Sequence, residues 1–216
     1  MTATPEILAS FGAGWIAFAY WRNQTGSPIT SFRTSWQVPA RPTSDTGQTI
    51  FLFNAIEDAQ MNDILQPVLQ WGPSGAGGGS FWSIASWYIN PAGEAFHTDP
   101  VVVAEGTVLV GVMVLLDQRD GVFTYESFFD GVPSTALRVN GIAELVWASE
   151  TLEAYNVTQC VDYPSSASST LDQIAMQTAG GNAPLSWTPV VTVGDCGQRV
   201  DVIDQSSTSG RIDIRY

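Results

Sequence analysis

Asp63-Ile-Leu-Gln-Pro-Val-Leu-Gln-Trp71 and Ser80-Phe-Trp-Ser-Ile-Ala-Ser-Trp-Tyr-Ile89 flank the run Gly72-Pro-Ser-Gly-Ala-Gly-Gly-Gly79. Both flanks are short stretches dense in aliphatic and aromatic side chains, closed off by glycine, proline or asparagine, which is the pattern of strands. The glycine run between them reads as a flexible loop. A phosphate-cradling loop of the Walker type would need a lysine, and all eight basic residues of this chain are arginine.

Working outward, the same pattern recurs. Strands are expected at Trp15 to Trp21, Ser31 to Val38, Thr49 to Phe53, Val108 to Leu116, Gly121 to Phe128, Ile142 to Leu152, Pro189 to Val193 and Gly210 to Tyr216. Turn clusters such as Asn23-Gln-Thr-Gly26, Asn90-Pro-Ala-Gly93 and Asp130-Gly131 punctuate them. Regular short strands with such punctuation predict an all-β antiparallel sandwich, with residues 1–216 as a single domain. One short helix is expected near Leu171 to Gln177. The serine-rich stretch Pro164 to Thr170 is the best linker candidate, with the strands beyond it rejoining the same sheets.

Composition narrows the function. The 216 residues carry 21 acidic against 8 basic side chains, a formal net charge of -13. The arginines form no cluster, so neither nucleic acid nor an anionic membrane surface is expected as a partner. The longest apolar run, Val108 to Leu116, is about half of the roughly 20 residues that span a bilayer as a helix. No basic residue precedes Arg22 and no signal-like stretch is present, so the expectation is an intracellular chain or one whose leader was removed. Only 13% of residues are charged, against about a quarter in ordinary domains. A surface built from neutral polar groups suits work in acid, where carboxylates are neutralised.

Cys160 and Cys196 could form a disulfide or remain thiols. With a single histidine, His97, they do not complete a zinc site, and no metal or cofactor is expected. His97 without a Gly-x-Ser-x-Gly elbow argues against a serine triad; a local hydrogen bond is the expected role. Carboxylate and amide chemistry remains. In Glu144-Leu-Val-Trp-Ala-Ser-Glu-Thr-Leu-Glu153, strand alternation puts Glu150 between Ala148 and Leu152 on a face patterned for burial, where desolvation would raise its pKa. Gln66 and Gln70 fall on the face of Ile64 and Val68. A glutamine there must find hydrogen-bond partners or a ligand.

From these two segments a resemblance to a family emerges, carried by the succession of short motifs along nearly the whole chain. Gly14-Trp-Ile-Ala17, Ser35-Trp-Gln-Val-Pro39, Phe51-Leu-Phe-Asn-Ala-Ile-Glu57, Ile64-Leu-Gln-Pro67, Ser86-Trp-Tyr88, Ala148-Ser-Glu-Thr-Leu-Glu153 and Arg211-Ile-Asp-Ile-Arg-Tyr216 resemble, in order, motifs of the fungal glutamic peptidases called eqolisins. The resemblance implies a concanavalin A-like sandwich of jelly-roll type and an endopeptidase acting in acid. Gln66 and Glu150 would be its catalytic pair, the glutamate activating water and the glutamine amide stabilising the oxyanion, with Glu144 and Glu153 as alternatives for the glutamate. Glu57, Ser86 and Trp87 would contact a protein or peptide substrate. Ser86 stands where the family has an acidic residue, Ile84 where it has a pocket tryptophan, and Thr151 where a tryptophan follows the glutamate.

Two other readings stand beside this one. Sandwiches of this kind often bind sugars, and Trp21, Trp71, Trp82 and Trp87 are candidate stacking platforms for a glycan. The chain could also be a structural sandwich without activity. The geometric condition on the peptidase reading is that Gln66 and Glu150 converge within about one water in an open cleft; side chains pointing to opposite sheets would count against it.

Overall fold

A computed structural model of the chain describes residues 14–216; the stretch before them, which was read for a leader, lies outside the described residues. The strand-forming runs pair into two antiparallel sheets. The first contains β1 (Trp15–Arg22), β3 (Thr49–Asp58), β4 (Ile64–Ser74), β5 (Gly77–Ile89), β6 (Ala95–His97), β7 (Val101–Val102), β11 (Leu145–Tyr155) and β14 (Thr188–Val191). Its order is β14-β1-β11-β3-β4-β5-β6, with β7 also paired to β5. The second contains β2 (Ile29–Gln37), β8 (Val108–Arg119), β9 (Val122–Phe129), β10 (Val132–Ile142), β12 (Ser168–Thr178), β13 (Gly181–Asn182), β15 (Arg199–Asp204) and β16 (Gly210–Arg215). Its order is β10-β9-β8-β2-β12-β16-β15, with β13 on β12. This is the antiparallel sandwich that the strand pattern predicts.

The core between the sheets is built from alternate residues of both, among them Phe32, Trp36, Leu52, Ile56, Leu65, Leu69, Leu152, Ile212 and Ile214. The first sheet carries a second apolar cluster made only of its own residues: Trp15, Phe18, Tyr20, Phe53, Ala55, Val68, Ala85, Trp87 and Trp147. That cluster occupies the face turned away from the second sheet, here called the outer face. Strands β1, β3 and β11 are therefore buried on both faces, and their sequences show no apolar-polar alternation.

Two expectations are corrected. The glycine run is a hairpin: Gly72 pairs with Gly79, Pro73 with Gly78 and Ser74 with Gly77. A Cβ at Gly78 would lie 2.4 Å from the Gly72 carbonyl oxygen, so glycine here permits a close backbone approach. The segment expected as a helix is strand β12. Gln173 adopts φ 50°, and the pairing to β16 shifts between Leu171 and Ile174. This bulge puts residues three apart on the same face, so Leu171 and Ile174 both enter the core, as does Met176.

Cys160 and Cys196 form a disulfide with a Cα–Cα distance of 5.3 Å across 36 residues of chain. It ties the one-turn 3-10 helix Cys160–Asp162 to the loop between β14 and β15. In the same turn the buried Asp162 carboxylate accepts hydrogen bonds from Thr158 N at 2.8 Å, Gln159 N at 3.1 Å and Ser44. A loop of this length corresponds to roughly 3–4 kcal/mol of loop-closure entropy removed from the unfolded chain. The Cys160→Ser/Cys196→Ser double variant is expected to lose about that much stability in urea titration; a loss below about 1 kcal/mol would show that the closed loop does not constrain the unfolded state.

Candidate active site

Strand β11 lies between β1 and β3 and is hydrogen-bonded to both. Its pleat sends Ala148, Glu150, Leu152 and Ala154 toward the second sheet, and Trp147, Ser149, Thr151, Glu153 and Tyr155 to the outer face. Glu150 is fully buried. Thr34 on β2 donates its hydroxyl to Glu150 Oε1 across the sandwich, and Glu150 Oε2 has no partner. Opposite Glu150 on β3 stands Asn54, also buried. Its Nδ2 donates to the Gly111 carbonyl at 3.5 Å. Burial pushes the Glu150 carboxyl well above its ordinary range, with the Thr34 bond a smaller opposing influence.

Gln66 takes the other side of the sheet. The register that pairs Phe53 with Val68 and Ile56 with Leu65 sets Gln66 opposite Ala55, and Trp87 pairs with it from β5. The structure therefore does not bring Gln66 and Glu150 together: the first sheet itself stands between them. The carboxyl that shares a cavity with Gln66 is Glu153. Both line a recess of about 120 Å³ walled by Phe51, Val68, Trp87, Ile89 and Tyr155. Phe51 meets the rings of Trp87 and Tyr155 edge-on, each at 6.3 Å between centroids.

Within this recess the polar groups are unevenly satisfied. Gln70, the other glutamine of this face, donates to the carbonyls of Gly72 at 2.7 Å and Gly77 at 2.9 Å and accepts from Ser74 at 2.9 Å. Gln66 Oε1 is buried with no partner. Glu153 accepts a hydrogen bond from the Tyr155 hydroxyl. Burial raises its pKa to about 7, against the lowering influence of that bond. Glu57, on the same face and buried, is raised to about 8, first by burial and then by the charges of Asp58 and Glu153. Glu144 precedes β11, is half-buried, and lines none of this recess.

The remaining expected site residues divide between the faces. Trp87 belongs to the outer-face cluster, with its ring 4.8 Å from that of His97. His97 makes the local contact expected of it, Nδ1 to Thr98 O at 3.1 Å. Ser86 points inward, where it accepts from Ser127 Oγ at 3.1 Å; a side chain facing the second sheet cannot reach a ligand on the outer face. Trp21, Trp71 and Trp82 are buried in the inter-sheet core, so of the four candidate sugar platforms only Trp87 lies on the outer face. Tyr155 and Phe51 were missed as site residues. The signal for Tyr155 was its two-residue spacing from Glu153, which places both on one face.

The two-sheet architecture has counterparts among solved structures. The structure is similar to that of scytalido-glutamic peptidase solved with a transition state analog inhibitor, with a TM-score of 0.60 and 12% identity over 94% of this chain and 98% of that one. It is also similar to SCP-B, a member of the eqolisin family solved with the tripeptide Ala-Ile-His, with a TM-score of 0.57 and 12% identity over the same shares. The chain has the eqolisin sandwich fold. No protein-family model and no curated protein matches its sequence.

Two buried carboxyls and the half-buried Glu153, all with raised pKa, make stability depend on pH. The unfolded chain releases these protons near 4.5, while the folded chain holds them to about 7 at Glu153, about 8 at Glu57 and higher than ordinary at Glu150. Their stabilising effect is complete below 4.5 and is lost as pH rises through the folded values, at up to about 1.4 kcal/mol per pH unit for each group. The urea midpoint is expected to be higher at pH 4 than at pH 8, and Glu150→Gln is expected to flatten that slope. A midpoint that climbs from pH 4 to pH 8 would contradict the burial of these groups.

Proposed function

We propose that the outer face of the first sheet is a peptide cleft in which Gln66 and Glu153 are the reacting pair of a glutamic peptidase-like hydrolase. The observation that carries this reading is the shared recess, lined among aromatic walls by both Gln66, whose amide oxygen is unpaired, and the titratable Glu153 carboxyl. Ionised Glu153, steadied by the Tyr155 hydroxyl, takes a proton from water as its oxygen adds to the scissile carbonyl carbon. The Gln66 amide N–H holds the resulting oxyanion. Collapse breaks the C–N bond, and Glu153 returns the proton to the leaving amine. Glu57, buried on the same face, and Trp87 line the path of the chain. The eqolisin structures of the same fold, solved with a transition state analog inhibitor and with a tripeptide, support a peptide as the ligand class. A glycan is less well supported, since of the four tryptophans expected as sugar platforms only Trp87 lies on the outer face, and it is buried.

This pairing alters the expected pH range. Glu153 acts as a base only when ionised, and its pKa lies at about 7, so turnover rises toward neutral pH. The acid preference suggested by composition then belongs to stability. A second reading has its own support: level with Gln66 on β11, across Ala55, stands Ser149. A hydroxyl at that position favours a cleft that holds peptide without cleaving it.

Mass-spectrometric digestion of a denatured protein across pH 2–9 tests both. Cleavage by the parent is expected to be insensitive to pepstatin and chelators and to increase through pH 7. Gln66→Ala is expected to lower kcat/KM by about 10²–10³, Glu153→Gln by at least as much, and Glu150→Gln to leave it near the parent value. Full activity in Glu153→Gln would sink the assignment. Peptide binding that is weakened by Trp87→Ala, with no cleavage at any pH, would establish the second reading.

A further inference from the structure

At the end of the outer face near β14, Arg22 stands apart from the other cations. The ion pairs among the described residues use Arg41, Arg119, Arg199, Arg211 and Arg215. Arg22 forms none. Its guanidinium lies over the Trp147 ring, 5.1 Å from the centroid, in a stacked geometry that fixes a fork of N–H donors. Both side chains line a cavity of about 500 Å³, with Tyr20, Gln24, Ser186 and Thr188 also on its walls.

A second observation points the same way. Trp147 is only 6% exposed, yet its indole Nε1–H has no hydrogen-bond acceptor. The packed indole, its N–H closed to the cavity, is a fixed platform that leaves the exposed Arg22 guanidinium to meet a negatively charged acceptor. In a chain of net charge -13, a cation held on an aromatic ring with no ion pair of its own is a local reversal of sign. The neighbour of Trp147 across the ladder on β3 is Glu57, which is buried and does not pair with Arg22 within 4.0 Å.

We propose that this cavity is a carboxylate-binding subsite, which takes the C-terminal carboxylate or an acidic side chain of a peptide lying along the outer face. The peptide part of the proposal rests on the reading of the cleft given above; the carboxylate part rests on Arg22 and Trp147 alone. The cavity is large enough for one amino-acid residue, so a single-residue ligand reports on it without reaching Gln66 or Glu153.

The test is isothermal titration of the whole chain with N-acetylphenylalanine and, separately, with its amide. The acid is expected to bind roughly tenfold or more tightly than the amide. Arg22→Gln, at an exposed strand end, is expected to abolish the difference while leaving the melting curve in place, and Arg22→Lys to restore it only in part. Two pairs of hexapeptides then separate the sources: free acid against C-terminal amide, and internal Glu against internal Gln. Whichever pair shows an Arg22-dependent preference identifies the carboxylate. Equal binding of acid and amide, or a preference that survives Arg22→Gln, overturns the subsite even if Gln66 and Glu153 cleave peptides. An Arg22-dependent preference in a chain that neither cleaves nor holds longer peptides would retain the subsite and discard the cleft reading.

Discussion

The pleat of β11, locked between β1 and β3, is the constraint on which the site depends. A strand hydrogen-bonded on both sides cannot slip by one residue without turning every side chain to the opposite face. Here such a slip would move Glu150 out of the core and Glu153 into it. The pairing of Glu150 with Ala19 on one side and Asn54 on the other, together with the Thr34 bond across the sandwich, holds the register. Every statement about the outer face follows from that parity. Glu153 and Tyr155 share the recess with Gln66 because they sit at odd positions of β11, and Ser149 stands level with Gln66 for the same reason.

Burial on both faces of the first sheet has an electrostatic consequence. A carboxyl in an apolar surround favours its neutral form, and three such groups lie on β3 and β11. Glu150 is spent on holding the sheets together, since it touches the second sheet through Thr34 and reaches no cavity wall. Glu153 differs in having a phenol on one oxygen and a recess beside it. The same desolvation thus gives one carboxyl a structural part and, in the proposed pairing, would give another a chemical one. It also separates two properties that the composition had joined: the acid-compatible surface bears on stability and solubility, while in the proposed pairing the pKa of Glu153 would set where chemistry can operate.

The architecture was legible because aromatic and β-branched runs with turn punctuation are local signals, and β1, β2, β3, β4, β5, β8, β9, β11, β14 and β16 each carry one. Strand β10 was missed because its Val132-Pro-Ser-Thr start and its Arg138 and Asn140 dilute the apolar signal. Strand β12 was taken for a helix because a bulge at Gln173 mimics helical spacing. The site was half legible. Gln66 stands out as an amide among apolar neighbours, and Glu150 does so among Ala148 and Leu152. What the chain does not reveal is which of two buried faces each belongs to. With both faces of a strand apolar, burial of Glu150 is correctly expected, but whether it faces core or cleft depends on the other sheet, whose position is a property of long-range pairing. The same ambiguity put Ser86 beside Trp87 in the expected pocket, although adjacent residues of a strand always diverge.

The outer face has a polarity along its length that follows from the order of residues on β11. Trp147, with Arg22 over it, marks one end, and Glu153 with the recess marks the other. Along the strand these positions are separated by roughly 20 Å at about 3.3 Å per residue, the length of about six extended peptide residues. A chain anchored by a carboxylate at Arg22 would therefore lie over Ser149 and Thr151 before reaching Glu153. Only Gln66, reaching in from β4, shortens that path. A short ligand held at Arg22 occupies the cleft without contacting Glu153, whereas a longer one spans both ends. On the proposed reading, holding a peptide and acting on it would be separated by the rise of a single strand.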